Sequence, residues 1–518
     1  MEHTRTENAR RNIISSFLGW ITGLLLPFLI RIVLISRLSA DYLGLTGLFF
    51  SIFAFLSLAD LGIGTAIAYL MYKPIAEKDT DTICALLNLF RKCYRISGCV
   101  ILILGICLIP FLPNLISGEV PEDIDLTTFY LIMLFNTCIG YLFFEYKSSL
   151  FYADQRNDIL NYIGLGSRIL TYGIQLFVLI NYSSFYLYCI ALPVTTMIRN
   201  LLLEVLSRKI YPQYVCRGKL SSELLKDLKS RTAGLFIGRV SSALTYSLDD
   251  IILSAFLGLL PLAKFMNYNM IDSRISEFMI SVVDGVRPSI GNSLITESQE
   301  KNYHDLKTFQ LLYMWINGWA VACLFCLFQP FIRFWVGADM LLPDIMVYIF
   351  CLYYISRKMN DICFQYRNAA GLWWKERHRC IVAGISNVLF DFILVQKLGI
   401  AGVLLSTILY QFIFDLFWGV IILFRNYFTD YTMWDYLKLT FYCLLATAIG
   451  CLISGWACGF IPVLDGRGLN VILTLLERGI LATLISNVIL WLFYSRLPEY
   501  KKVCELVKKL LHRNFSKQ

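Results

Sequence analysis

Residues 13–36, IISSFLGWITGLLLPFLIRIVLIS, decide the fold. At 1.5 Å per residue, such a run forms a helix of roughly 36 Å, enough to cross the ~30 Å hydrocarbon core of a bilayer. Its one charge is Arg31. Pro27, four residues earlier, removes a backbone hydrogen bond and predicts a kink. A cation in hydrocarbon costs roughly 2.5–3.5 kcal/mol on insertion scales, so it is expected to face protein or a wet cavity, with snorkelling to the surface as the alternative. The run is too long for a signal-peptide core and no small-residue cleavage site follows it. It reads as a retained first membrane helix.

Similar runs recur outward from this one. The 518 residues are 57% hydrophobic and 16% charged, against about 25% charge in soluble domains. About fourteen apolar segments of near-spanning length lie between residues 13 and 495, among them 43–70, 126–150, 264–293 and 341–368. The fold class is therefore all-α: a polytopic membrane protein. Nothing alternates at the ten-residue scale of a membrane β-barrel. The 16 Cys are scattered through apolar segments and read as small buried hydrophobes, and the four His show no paired spacing, so no metal site is expected. No Ser/His/Asp setting or Walker loop appears, and no long loop is available for a catalytic domain. An enzyme is not expected.

Lys and Arg fix the expected orientation. They gather in the N-terminal tail, at Lys73–Arg95, over 208–231, at Lys375, Arg377 and Arg379, and in the tail after Lys501. The alternate loops are neutral or acidic, as in SGEVPEDID at 117–125 and GADMLLPD at 337–344. Both termini are expected on the cytoplasmic side. The net charge of +9 is mostly this bias, with attraction to anionic lipid; nucleic acid is not an expected partner.

The basic segment 208–232 separates two halves that echo each other. LSADYLG at 38–44, Asp60 and IAEKD at 75–79 find counterparts in LGLLPLA at 257–263, Asp284 and ITESQ at 295–299. EYKSS at 145–149 followed by Arg156 recurs as QYRNA at 365–369 followed by Arg377. Parallel repeats are a common transporter plan. The expected layout is a six-helix lobe over 1–207, a linker over 208–232, a second six-helix lobe over 233–428, two additional helices over 429–496 and a basic amphipathic tail over 497–518. The lobes would enclose a central cavity. Segments 75–91 and 297–308 read as amphipathic and interfacial.

Within the second half, Asn267, Arg274, Glu277, Ser281 and Asp284 are spaced 7, 3, 4 and 3 apart, which keeps them on one helical face. Such a stripe is expected to line a cavity, with or without a structural Arg274–Glu277 pair. Arg31 and Arg274 are the leading candidates for holding an anionic passenger. Arg287 and Lys264 are secondary contacts near the two ends of the span, where pairing with Asp284 or snorkelling also accounts for them, and Asn267 and Ser281 complete the lining. Asp249, Asp250 and Glu277 are candidates for coupling to a proton or Na⁺; no other cofactor is expected. Asp60, followed by Gly62 and Gly64, reads as a packing position. Arg357, Lys358 and Asp361 suggest one internal pair and a spare cation, with Asp361 neutralising Arg357. Lys147, Arg156, Arg168, Arg367 and Arg377 read as cytoplasmic-side topology determinants that together attract an anionic head group.

LSLADLGIGTA at 56–66, PIAEKD at 74–79 and RKCY at 91–94 resemble the start of bacterial polysaccharide flippases of the O-antigen and capsule type. These belong to the multidrug/oligosaccharidyl-lipid/polysaccharide exporter superfamily. RIVLISR at 31–37 resembles the first-helix stretch of the related lipid II flippases, where the leading arginine lines the cavity. The acid that follows it there has no counterpart in register here; Asp41 is the nearest. The resemblance implies two six-helix bundles, alternating access and an undecaprenyl-pyrophosphate-linked glycan as passenger, with a glycan polymerase and glycosyltransferases as partners in a bacterial inner membrane. Other readings are a multidrug or cation antiporter, which favours acidic lining, a membrane glycan polymerase or ligase, which needs a large outer loop, and a scaffold in a glycan assembly complex.

Overall fold

Helix starts in this chain repeat at a fixed interval, and the reason lies in the caps. The computed structural model describes residues 5–515 apart from 61–62, 223, 227, 229–239, 241–246 and 465. Helices begin at Ala40, Thr80 and Leu126, and again at Leu259, Gln299 and Ile345, each 219 residues later. Ser39, Asp79, Asp125 and Ser298 accept hydrogen bonds from the first-turn amides of Asp41, Thr82, Thr128 and Lys301, which fixes where the helix can start. Asn157–Asn181 and Phe185–Ile210 likewise have counterparts in Trp373–Leu398 and Ile400–Asn426. The parallel repeat is thus carried by whole elements.

The chain divides into two units, Met1–Ala263 and Lys264–Gln518. Among the described residues nine helices are long and apolar enough to cross a membrane, or ten with one bent pair. The protein is a multi-pass membrane protein. Leu259–Thr296 spans 38 residues yet is not one of these, because it carries Lys264, Asp272, Arg274, Glu277, Asp284 and Arg287.

Three segments read as single helices are broken. Segment 43–70 divides into Ala40–Leu56, a tight turn at Ser57–Asp60 and Ile63–Glu77. Segment 126–150 bends by 42° between Leu126–Leu142 and Glu145–Ala153, across Phe144 at φ 57°, a left-handed conformation unusual for a non-glycine residue. Its counterpart breaks at the same stage, between Ile345–Lys358 and Asp361–Ala369. Hydropathy averages over such joints. Of the segments read as amphipathic, residues 80–91 and 299–308 are continuous with the helices Thr80–Leu108 and Gln299–Trp335, which Asp79 and Ser298 cap directly. Residues 223, 227 and 229–232 of the linker lie outside the described residues, as does the side chain of Asp60.

In the first unit, Phe49 stacks on Phe129 at 4.8 Å, and Leu87, Phe90, Tyr146, Phe151 and Leu203 form a buried cluster. In the second, Tyr268, Phe328 and Phe350 pack together. Met433–Cys458 and Leu469–Tyr494 lie against Gln299–Trp335. Gly318 permits that approach, since a Cβ there would stand 2.8 Å from the Thr447 hydroxyl. Trp315 and Trp319 donate to Asn487 and Thr483 across the same seam, each at 3.0 Å. The tail forms the helix Glu499–Phe515, docked through a Lys307–Glu499 ion pair of 2.5 Å.

Hydrogen bonds from Thr128 hold the Asp125 carboxyl below the usual carboxylate range. A depressed folded-state pKa stabilises above the unfolded value near 4, and that stabilisation disappears as pH falls through the folded value. Asp125→Ala is therefore expected to lower the melting temperature of the detergent-solubilised protein at pH 7. The difference from wild type should shrink on acidification below about pH 4; a difference independent of pH would contradict the capping role.

Candidate functional site

Burial sorts the charged groups of the second unit into two kinds. Arg274, Glu277, Ser281, Asp284 and Arg287 lie on the open side of Leu259–Thr296, while Asp272, Ser276, Met279, Val283 and Ile290 form its buried side. Four of the five residues of the stripe therefore share an accessible face. Asn267 does not join them. It is fully buried, in the part of the helix where Tyr268 packs with Phe328 and Phe350. Lys264, one turn earlier, is half-buried.

The accessible charges are held by their own helix. Arg274 Nη1 lies 2.8 Å from Glu277 Oε2, with the arginine side chain 31% and the glutamate 51% exposed. Arg287 lies 2.7 Å from Asp284 and also donates through Nε to Gln365 at 2.7 Å. Ser281 donates to the carbonyl of Phe278 at 2.6 Å. Pairs of this i,i+3 type contribute only ~0.2–0.5 kcal/mol. Arg274 keeps Nε without a hydrogen-bond partner among the described residues. An incoming phosphate, which takes guanidinium groups through paired hydrogen bonds, needs to displace little to engage it.

In the first unit, Arg31 is half-buried in the helix Arg5–Arg37, which continues through Pro27. Its charge acts on Asp250 and on the Tyr188 hydroxyl. Asp250 accepts from Ser51 Oγ at 2.5 Å, and Asp249 beside it is buried.

Other cations are structural, through partners that spacing did not indicate. Arg357 does not pair with Asp361. It reaches Asp272 Oδ2 at 2.6 Å and stacks over Tyr353 at 5.0 Å, while the buried Lys358 takes Asp361 at 3.5 Å. Asp272 lies about 200° around the helix from Arg274, so the stripe pattern hid it. Arg367 is not an interfacial residue but fully buried. It pairs with Glu376 and, at 3.2 Å, with Asp415; Arg379 pairs with the same two acids at 2.8 and 2.9 Å. Asp415 sits in a π-helical stretch, Gln411–Trp418, whose wider turn re-aims side chains. In the first unit Lys147 is buried against Glu204, Arg156 pairs with Asp158 at 3.0 Å, and Arg168 donates to the Gly19 carbonyl at 2.7 Å. Arg377 lies over the Trp374 ring at 4.4 Å.

A further cluster went unread. Asn387, Asp391, Ser406 and Thr407 are all fully buried. Asn387 donates to both hydroxyls at 3.4 Å, and Ser406 donates to Asp391. The i,i+4 spacing of Asn387 and Asp391 within an apolar segment was the available signal. Among the described residues no group of three or more His, Cys, Asp or Glu could hold a metal ion; this cluster offers one carboxylate, one amide and two hydroxyls, an oxygen set suited to a small hard cation or a proton.

The sequence profile of a family described as polysaccharide biosynthesis proteins matches residues 9–292. None of the curated proteins matches the chain in sequence. Among solved structures, the lipid II flippase MurJ in an inward closed conformation is similar at 16% identity and TM-score 0.63, covering 93% of this chain and 98% of that one. An inward-facing multidrug resistance MATE family transporter of the MOP superfamily matches at 15% and 0.54, covering 79% and 97%. A mutant of the Vibrio cholerae MATE transporter VcmN matches at 13% and 0.55, covering 83% and 99%. At these identities the likeness shows the fold.

The two kinds of charge separate by mutation. Arg367→Met leaves the buried Glu376 and the half-buried Asp415 with one cation fewer, a change that costs about 3–5 kcal/mol in comparable sites. Arg274→Gln removes a pair worth below about 0.5 kcal/mol. Thermal unfolding in detergent should show a large drop for the first and almost none for the second. Equal losses would refute the division.

Proposed function

We propose a function from one premise: the chain belongs to the family of polysaccharide biosynthesis proteins, within the MOP superfamily. On this reading it is a flippase. It carries an undecaprenyl-pyrophosphate-linked oligosaccharide from the cytoplasmic to the outer leaflet of the bacterial cytoplasmic membrane by alternating access, with both termini cytoplasmic. The observation that carries the proposal is the accessible charged side of Leu259–Thr296, where among the described residues Arg274 is held only by Glu277 on the next turn. A polar glycan crosses hydrocarbon only at a large desolvation cost, so it needs a wet path, whereas the polyprenyl chain remains in lipid. In the second unit Arg274 is the group that engages the pyrophosphate, with Arg287 and Lys264 secondary; in the first unit Arg31 is a separate cationic candidate for the same passenger. No bond is made or broken in this cycle, so no catalytic group is invoked. Glycosyltransferases supply the lipid-linked glycan and a polymerase consumes it.

Coupling to a proton or Na⁺ is part of the same reading. The coupling carboxylates proposed here are Asp249, Asp250 and Glu277, to which the buried polar cluster adds Asp391. Asp391→Asn should reduce flipping driven by a Na⁺ or proton gradient in proteoliposomes, scored by access of an impermeant lectin to the glycan. Undiminished gradient-driven flipping would remove Asp391 from the scheme.

The passenger assignment is tested in a deletion strain complemented with Arg31→Ala and Arg274→Ala. Both variants should reach wild-type membrane levels, lose surface glycan and accumulate the lipid-linked intermediate on the cytoplasmic face. Normal surface glycan in both would overturn the cationic path, and is also what a scaffold role predicts for Arg274→Ala.

A further inference from the structure

A second isolated cation lies away from the charged stripe. Helices Gln299–Trp335, Ile345–Lys358, Met433–Cys458 and Leu469–Tyr494 surround a cavity of about 360 Å³ lined by Phe325, Tyr348, Leu452, Trp456, Cys458 and Arg478. That volume falls at the small end of the ~300–1,000 Å³ typical of ligand pockets. Arg478 is only 9% exposed and stands nine residues, roughly 13 Å, inside its helix. It has no acidic partner within ion-pair distance among the described residues, and its Nε has no hydrogen-bond partner there. Its neighbour Glu477 is exposed, about 100° around the helix.

The guanidinium is partly matched. Nη2 donates to the Ile461 carbonyl, just beyond the C-terminus of Met433–Cys458, where the helix dipole contributes about half a negative charge. The remainder is unmatched, and an arginine does not escape by losing its proton. A buried cation in apolar surroundings calls for a counter-charge. The rim shows where one enters: Trp456 is 71%, Leu452 57% and Tyr348 50% exposed. An apolar and aromatic rim around a cationic floor matches an acidic head group attached to a hydrocarbon chain.

We infer that this cavity binds the phosphate of an anionic membrane lipid, with Arg478 on the head group and Trp456 and Leu452 against the first part of the chain. One partly matched cation fits a monoanionic phosphodiester. A pyrophosphate carries more charge than this floor can answer, so the occupant is a resident lipid and not the passenger proposed above. The inference does not depend on that passenger's identity.

Native mass spectrometry of the full-length, delipidated protein tests it, with equimolar phosphatidylglycerol and phosphatidylethanolamine added. Wild type should retain the anionic lipid several-fold over the zwitterionic one. Arg478→Gln should bring the ratio to parity. Trp456→Glu, a substitution on the exposed rim that spares the core, should lower it by placing an acid before Arg478. Parity in wild type, or a preference that survives both substitutions, would overturn the inference. Millimolar inorganic phosphate should leave the lipid adduct in place; displacement by phosphate alone would mean a free-anion site and would also overturn it. Glycan export is not a readout here, so failure of this inference and failure of the flippase reading are distinguishable.

Discussion

The structure is governed by the cost of leaving a charge unmatched in hydrocarbon. Two solutions are used. Arg357 with Asp272, Lys358 with Asp361, and Arg367 and Arg379 with Glu376 and Asp415 are matched inside protein, and most of these pairs join separate helices. Arg274 and Arg287 are matched mainly by the next turn of their own helix, on its accessible side. The first solution ties elements together, because separating them strands a buried charge. The second ties nothing together and leaves the charges exchangeable. Function is therefore sought among the weakly matched groups.

This distinction bears on how the repeat is used. Lys147 in EYKSS and Arg367 in QYRNA occupy corresponding places. Each pairs with an acid on the corresponding later helix, Glu204 within Phe185–Ile210 and Asp415 within Ile400–Asn426. The clasp is repeated as an arrangement while its residues differ: Lys147 and Arg208 share one acid in the first copy, and two arginines share two acids in the second. Arg367 also fills the space over Gly419, where a Cβ would collide with its guanidinium. That glycine is required by the clasp and not by the backbone.

Much of this was legible in the sequence because it depends on local chemistry. The membrane class follows from apolar length. The repeat follows from paired capping and loop segments, and the accessible stripe from 3.6-residue spacing. What stayed hidden depends on three-dimensional neighbours. Asp272 and Arg274 are two residues apart yet point to opposite sides, so only the packing of Leu259–Thr296 reveals that one is a structural partner and the other is exposed. Asn267 has the right register but the wrong depth. The joint at Phe144 carries no glycine or proline signal, and hydropathy is blind to a left-handed residue within an oily run. Arg367 looked interfacial because its acids, Glu376 and Asp415, are 9 and 48 residues away.

One asymmetry between the copies has mechanical meaning. The element at 40–77 is interrupted near its middle, whereas its counterpart Leu259–Thr296 runs unbroken for 38 residues, roughly 56 Å from end to end. A jointed rod absorbs a push by folding at the joint; a continuous one delivers it to the far end. Duplication therefore left this chain with one compliant strut and one stiff strut of the same length, and the stiff one carries the exchangeable charges. A tug on Arg274 is thereby passed along the whole helix, not absorbed at a joint.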